Sequence, residues 1–326
     1  MIERMKRILV TGGSGFIGTN LIAELVKEGH EVLNVDKVAP RNTSQSSYWT
    51  QVDILDYNKL EKVLREFSPD FIVHLAAVTD LDGKTAEYYK ANTEGTNNII
   101  MIAATLPTLR RVLFTSSMYV CQPGYIPKDY DDYKPHTPYG QSKVDGELIV
   151  KKSAKQQYDW VIIRPTSIWG PWFGIPYIDF FRVVYQGQYY DFGSTCTKTY
   201  GYVENAVHQV KQLLNATGVH GKTFYIGDEP PIPIAEWANE ISNAMGKGSI
   251  KKIPYFAIKM AALGGDILTK AGIKFPMTSF RLANMQTNNI LPVEPLHAIA
   301  GPGPVSRLKG VEKTVSWLRE HKGYKV

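Results

Sequence analysis

Residues 8–18 read Ile8-Leu9-Val10-Thr11-Gly12-Gly13-Ser14-Gly15-Phe16-Ile17-Gly18. The apolar run that opens at Arg7 predicts a short buried strand ending at Thr11. Beyond the glycines, Phe16, Ile17, Leu21, Leu25 and Val26 recur at helical period, so a strand, a glycine-rich turn and a helix follow in that order. Glycines let the backbone approach a pyrophosphate, and the start of the helix offers N–H groups and the positive end of a dipole. The next apolar run, Glu31 to Asp36, ends in an acid eighteen residues past Gly18. A carboxylate there accepts hydrogen bonds from adenosine ribose hydroxyls and repels a 2′-phosphate, which favours NAD over NADP. Lys37 and Arg41 stand close by and soften that preference. Without a ligand, the same stretch is a tight strand-to-helix connection and nothing more.

The rhythm repeats along the chain. Trp49 to Ile54 reads as a strand, and Asp56 caps a helix over Tyr57 to Phe67. Phe71 to Ala77 is a buried-strand run, within which His74 reads as a hydrogen-bonded core residue. A long helix over Lys84 to Thr105 carries Asn92, and Leu109 to Ser117 forms the next strand. Strands alternating with helices predict an α/β fold, a Rossmann-type doubly wound parallel sheet whose ligands sit at the carboxyl ends of the strands. Ser117, at such an end, is placed to donate a hydrogen bond to a substrate oxygen, or is a simple turn residue. Pro138 opens a further helix, on which Tyr139 and Lys143 lie one turn apart on one face. An unperturbed phenol, with a pKa of about 10, is a poor base at neutral pH, and a nearby cation favours its phenolate. Taken alone, the two residues read as a surface pair on an amphipathic helix, and the case for chemistry comes from the rest of the chain.

Bulk properties narrow the partners. Of 326 residues, 44% are hydrophobic and 21% charged, an ordinary globular composition with enough apolar residues for a substantial core. Lysine and arginine number 37 against 31 acids, a modest and scattered excess without a basic tract interleaved with aromatics. That excludes nucleic acid as the expected partner and favours small anions. Cys121 and Cys196 suggest no disulfide framework, and no metal-ligand spacing is present. No apolar stretch approaches the roughly 20 residues a membrane span needs, so the expectation is a cytoplasmic protein without a membrane partner.

With these residues in view, the chain resembles the extended short-chain dehydrogenase/reductase family, in its NAD-dependent epimerase/dehydratase branch. The matching residues are Thr11 to Gly18, Asp36, Asp53-Ile54, Leu75-Ala76-Ala77, Asn92 with Gly95-Thr96, Ser116-Ser117, Tyr139 with Lys143, Arg164-Pro165 and Gly170-Pro171. The resemblance implies NAD held by Gly12, Gly15, Phe16, Ile17, Gly18, Asp36, Asp53, Ile54, Leu75, Ala76, Ala77, Asn92, Lys143 and Pro165. It also implies a catalytic set of Tyr139, Lys143 and Ser117, in which Lys143 holds the nicotinamide ribose and lowers the Tyr139 pKa. Tyr139 then exchanges a proton with a substrate hydroxyl, and Ser117 is the oxyanion partner. A homodimer built on a helix pair is common in the family.

The family's subdivisions turn on the residues after Ser117. Dehydratases of this kind carry an Asp-Glu or a Glu there, where this chain has Met118 and Tyr119. Met118 has no proton to give, which argues against dehydration. Tyr119 either packs on a sugar face or serves as an additional acid. Simple C4 epimerisation needs no further acid, because the sugar is oxidised, turned over and reduced on its other face. Lys198 stands where the family commonly uses an arginine for the nucleotide diphosphate, and Ser167 where it commonly offers an asparagine. Arg281 is a further candidate for the substrate phosphates. The segment 172–192 is rich in aromatic residues, suited to sugar stacking or to core packing.

The domain expectation is an NAD-binding Rossmann domain over 1–171, with segments 198–215 and 222–245 partly returning to it. A smaller, mostly C-terminal substrate-binding domain covers 172–197 and 246–326. The expected function is an NAD-dependent nucleotide-sugar C4 epimerase. A keto-sugar reductase or hydroxysteroid-type dehydrogenase is the alternative, and a non-catalytic NAD sensor a third reading, disfavoured by the intact Tyr139, Lys143 and Ser117.

Overall fold

A computed structural model describes residues 5–153, 157–270, 272–273 and 278–325, the side chains of 280 and 284 excepted. The chain divides into two compact units. The first comprises 1–168, 201–228 and 292–304, and the second 169–200, 229–291 and 305–326.

The first unit is built on β1 (Arg7–Thr11), α1 (Phe16–Lys27), β2 (Glu31–Asp36), β3 (Trp49–Gln51), α2 (Tyr57–Phe67), β4 (Phe71–His74), α3 (Thr96–Ala103), β5 (Arg111–Thr115), α4 (Pro138–Lys152) and β6 (Asp159–Pro165). A seventh strand, Lys222–Ile226, completes a sheet ordered 222–226, β6, β5, β4, β1, β2, β3. Every neighbouring pair is parallel. The apolar runs read from the sequence are the strands buried on both faces, as parallel strands covered by helices must be. Leu9, Val35, Ile72, Val112, Phe114 and Ile162 form one core with Leu60, Leu64, Ile99 and Ile102 from the helices. The order reverses at β1, where β2 lies on one side and β4 on the other. The crevice at the carboxyl ends of these strands is therefore the switch point at which such sheets take their ligands.

Two predicted elements are shorter or broken. The strand expected over Trp49 to Ile54 stops at Gln51. The helix expected from Lys84 to Thr105 becomes a 3-10 turn at Glu87–Tyr89, a π turn at Ala91–Gly95 and then α3. A π turn inserts one residue into the helical register, and this one carries Asn92. The neighbouring helix fits closely against it. A Cβ on Gly146 of α4 would sit 2.9 Å from the Asn92 carbonyl oxygen.

The second unit contains the helices Tyr177–Tyr185, Ile234–Ala244, Tyr255–Lys270, Ser279–Asn284 and Arg307–Lys322. The aromatic stretch read from the sequence supplies part of its core. Phe180 stacks on Trp237 at 4.9 Å between centroids, and Trp169 and Tyr200 lie 5.3 and 4.4 Å from the same ring. Segment 292–304 falls with the first unit, where helix Glu294–Ala300 packs on helix Val203–Asn215. Helix Ile234–Ala244 falls with the second, against Arg307–Lys322.

Candidate active site

The site grows from the carboxyl ends of β1, β2, β4 and β5. Gly12 leaves β1 with φ +71°, a conformation that side chains disfavour, and a Cβ there would meet the Ala76 nitrogen at 2.6 Å. The loop is thus pressed against the end of β4. Helix α1 starts at Gly15, which offers no side-chain cap, and its first turn holds no acid. Its dipole end is suited to an anion. Asp36, at the end of β2, accepts hydrogen bonds from the backbone N–H of Ser14 and of Val38, each at 3.1 Å. The carboxylate is thereby aimed back over the glycine loop. Beneath the loop, Leu75 N–H donates to the Thr11 carbonyl at 3.0 Å and Ala76 N–H to the Thr11 hydroxyl at 3.3 Å.

His74 is a core residue, as read. Its ring bridges the Thr11 hydroxyl at 2.7 Å and the Thr96 hydroxyl at 3.2 Å, and burial, with Lys143 nearby, pushes its pKa down to about 3. Asn92 holds Val78 from both sides, its Oδ1 accepting the Val78 N–H at 2.8 Å and its Nδ2 donating to the Val78 carbonyl at 3.0 Å. The same Nδ2 donates to Ser142 Oγ at 2.9 Å, tying the π turn to α4. Asp53 Oδ1 accepts the Leu55 N–H at 3.0 Å, and the Ile54 carbonyl accepts from Asn98 at 2.9 Å. Pro165 closes β6 beside Ile226.

Helix α4 begins at Pro138, with the Thr137 hydroxyl accepting the Gly140 N–H at 3.0 Å. That cap sets the first turn and places Tyr139 and Lys143 inward, both buried. Burial pushes the Tyr139 phenol up to a pKa of about 12, with Tyr119 and Tyr89 adding to the rise and Ser117 drawing it down. The acidification that the resemblance implies joins Lys143 to the positive nicotinamide ring. The Lys143 ammonium donates to the Thr115 carbonyl at the end of β5, at 2.8 Å. Burial draws its pKa down to about 8, against the pull of Glu147. The Tyr119 ring lies 6.2 Å from that of Tyr139 and 5.9 Å from His136, and burial raises its pKa too. Among its neighbours Met118, Val120 and Tyr139 are buried, and His136 is exposed.

Sequence reading gave no role to the network behind α4. Glu147, one turn beyond Lys143, binds Arg164 and accepts a hydrogen bond from Tyr133 at 2.9 Å. Arg164 also donates to the Tyr225 hydroxyl at 3.1 Å and the Tyr130 carbonyl at 2.6 Å, with the rings of Tyr130, Tyr133 and Tyr225 packed around its guanidinium. The spacing signalled only that Lys143 and Glu147 share one face of α4, not which residues meet Glu147. Ser167 is buried in the first unit, just past β6. Lys198 and Arg281 belong to the second unit. There Lys198 pairs in register with Ile232, and the Arg281 N–H donates to Thr278 Oγ1.

A glycine cradle on a parallel sheet, an acid at the end of β2 and a buried tyrosine–lysine pair define a dinucleotide-dependent enzyme. The sequence pattern of the NAD dependent epimerase/dehydratase family matches residues 8–227, and the chain belongs to that family. Its cofactor is NAD. The residues present fit it, because the close-packed glycine turn, the acid-free helix start and Asp36 together accept a pyrophosphate and a ribose diol. The chain is 26% identical to the N-acetyl-alpha-D-glucosaminyl-diphospho-ditrans,octacis-undecaprenol 4-epimerase of Escherichia coli O157:H7, over 96% of both chains. It is 30% identical to the 3-beta-hydroxysteroid dehydrogenase of Mycolicibacterium neoaurum, over 74% of this chain and 70% of the relative. The crystal structure of the Thermus thermophilus UDP-glucose 4-epimerase in complex with NAD superposes with a TM-score of 0.73 at 21% identity, covering 97% of this chain and 99% of that one.

Proposed function

We propose that the protein is a C4 epimerase of a sugar carried on a diphosphate, with Tyr139 as acid and base. The observation that carries this reading is the buried Tyr139, with the buried Lys143 one turn along α4, in a chain whose residue after Ser117, Met118, has no proton to give. Proton exchange with a single carbinol is then the chemistry available. NAD, when bound, supplies the hydride acceptor and donor. Ser117 fixes the phenol and shares the developing charge on the substrate oxygen. Lys143, anchored on the Thr115 carbonyl, offers its remaining protons to the nicotinamide ribose, and its charge counters the burial that holds Tyr139 protonated. Asp36 takes the adenosine ribose, Asp53 and Ile54 border the adenine, and Leu75, Ala76 and Ala77 line the pyrophosphate side. Tyr119 packs on the sugar face.

The diphosphate is common to the substrates named for the undecaprenol-linked and UDP-linked epimerases among the similar proteins. Ser167, Lys198 and Arg281 are its proposed ligands. Lysine meets phosphate as a point charge without the arginine fork, which suits a diphosphate whose second substituent varies. The test is to incubate the purified protein, without added cofactor, with a UDP-hexose and with a polyprenyl-diphospho-hexose, reading the C4 configuration of the product. Inversion in either arm supports the reading and identifies the carrier. No inversion, with NADH accumulating in solution once NAD is added, would establish a net oxidoreductase. That second reading is favoured by the 30% identity to a hydroxysteroid dehydrogenase.

A further inference from the structure

Helix Tyr255–Lys270 carries apolar residues on two opposite faces. Ile258, Ala262 and Gly265 are buried, in a small core that includes Phe192 and Leu282. Opposite them, Phe256, Met260, Leu263 and Ile267 are 70, 65, 46 and 70% exposed. Their spacing of four, three and four residues aligns them as one stripe along the helix. Ile273, 54% exposed, stands just beyond its end. A solvated helix has a polar outer face, and a continuous apolar one marks a surface that something covers.

The charges around the stripe say what kind of surface. Lys259 and Lys270 fall on the helix beside it, and Lys247, Lys251 and Lys252 precede it, all exposed. Across 241–273 these five lysines face one acid, Asp266, whose carboxylate accepts the Ser279 N–H at 3.0 Å. Apolar residues along one face with lysines at the flank are the pattern of a helix lying in a lipid–water interface. The lysine stems extend over the apolar region and place their ammonium groups at the headgroups. A second copy of this chain is a poor occupant in the antiparallel arrangement, because that twofold pairing of this face would bring the two lysine margins together.

We propose that this helix docks the protein on an anionic lipid bilayer, the stripe entering the headgroup boundary and the lysines meeting acidic headgroups. The sequence reading set a membrane partner aside for want of a span. Among the described residues no helix is long and apolar enough to cross a membrane, and docking on the surface requires none. The proposal does not depend on the reaction catalysed.

The test is flotation of the full chain, loaded with NAD, with vesicles of phosphatidylcholine alone and with about one-third phosphatidylglycerol. The protein should float with the anionic vesicles, and high salt should release it. Because each lysine near an acidic surface contributes about fivefold to binding, K259E/K270E should weaken it by at least tenfold. F256S/I267S should abolish it while NAD affinity and thermal midpoint stay unchanged. If that pair fails to fold, the lysine pair decides. Absence of flotation on anionic vesicles, or binding indifferent to the lysine substitutions, would overturn the proposal. So would stripe variants that convert a dimer to a monomer in sedimentation without any effect on vesicles, which would assign the face to a second copy. None of these readouts uses turnover, so failure of the epimerase reading leaves them interpretable.

Discussion

The Arg164 guanidinium and the Glu147 carboxylate, both buried, meet through two hydrogen bonds of 2.8 Å, Nε to Oε1 and Nη2 to Oε2. Removing one partner leaves the other charged in a dry environment. Glu147→Ala should cost about 3–5 kcal/mol of stability, read by urea unfolding. Glu147→Ala combined with Arg164→Met should cost less than the sum of the two single changes. Additive losses would show that the two groups act independently.

His74 gives the fold a defined sensitivity to acid. Its pKa is about 3 in the folded chain, against an ordinary value of 6.5. Between those two values the unfolded chain binds the proton and the folded chain does not. Stability contributed here is therefore present above about pH 6.5 and is lost as pH falls toward 3, at about 1.4 kcal/mol per unit. His74→Asn should flatten the unfolding profile in that window. An unchanged slope between wild type and variant would remove His74 as the cause.

Tyr139→Phe removes the proton and leaves the ring in place. Turnover should fall by about 10²- to 10⁴-fold, while NAD affinity, measured by calorimetry, changes little. Ser117→Ala should give a smaller loss in the same direction. Retained turnover in the phenylalanine variant would reassign the acid and base.

Asp36→Ala removes the carboxylate proposed for the adenosine ribose and also the acceptor for the Ser14 N–H. NAD should bind more weakly and the preference over NADP should shrink by about tenfold, on the scale of one charge-assisted hydrogen bond. The ratio of the two dissociation constants checks it. An unaltered ratio would place the discrimination elsewhere.

Gly12→Ala tests the cradle itself. The added Cβ meets backbone at 2.6 Å, at a φ that alanine resists. Such strain and overpacking cost on the order of 1–3 kcal/mol each, and NAD affinity should fall along with the melting temperature. A variant with normal affinity would mean that the loop has another arrangement in the loaded protein.

What the chain announced and what it withheld follow from the range of the interactions. The strand at Arg7–Thr11, the turn after it and Asp36 are legible because each depends on neighbours within a few residues. So is the start of α4 at Pro138, although the Thr137 cap and the burial of Tyr139 became visible only in the fold. The π turn at Ala91–Gly95 was not legible. Its local sequence is helical, and the register change accompanies a tertiary fit, with Gly146 against Asn92 and Gly95 against Ile54. The Arg164 enclosure gathers Tyr130, Tyr133, Glu147 and Tyr225 from separate parts of the chain, and no periodicity records such a meeting. The burial that dominates at Tyr139 was not legible for a related reason. A neighbouring cation can be inferred from spacing, whereas the extent of burial around a phenol comes only from packing.

That burial has a consequence for the protein at rest. A phenol held near pKa 12 presents almost no phenolate at neutral pH. Electrophiles that consume reactive tyrosines should therefore spare Tyr139 in the cofactor-free chain, and label it faster once a positive ring is seated beside it. With its phenol protonated the idle site is chemically quiet, and the same desolvation that slows Tyr139 as a base guards it against damage.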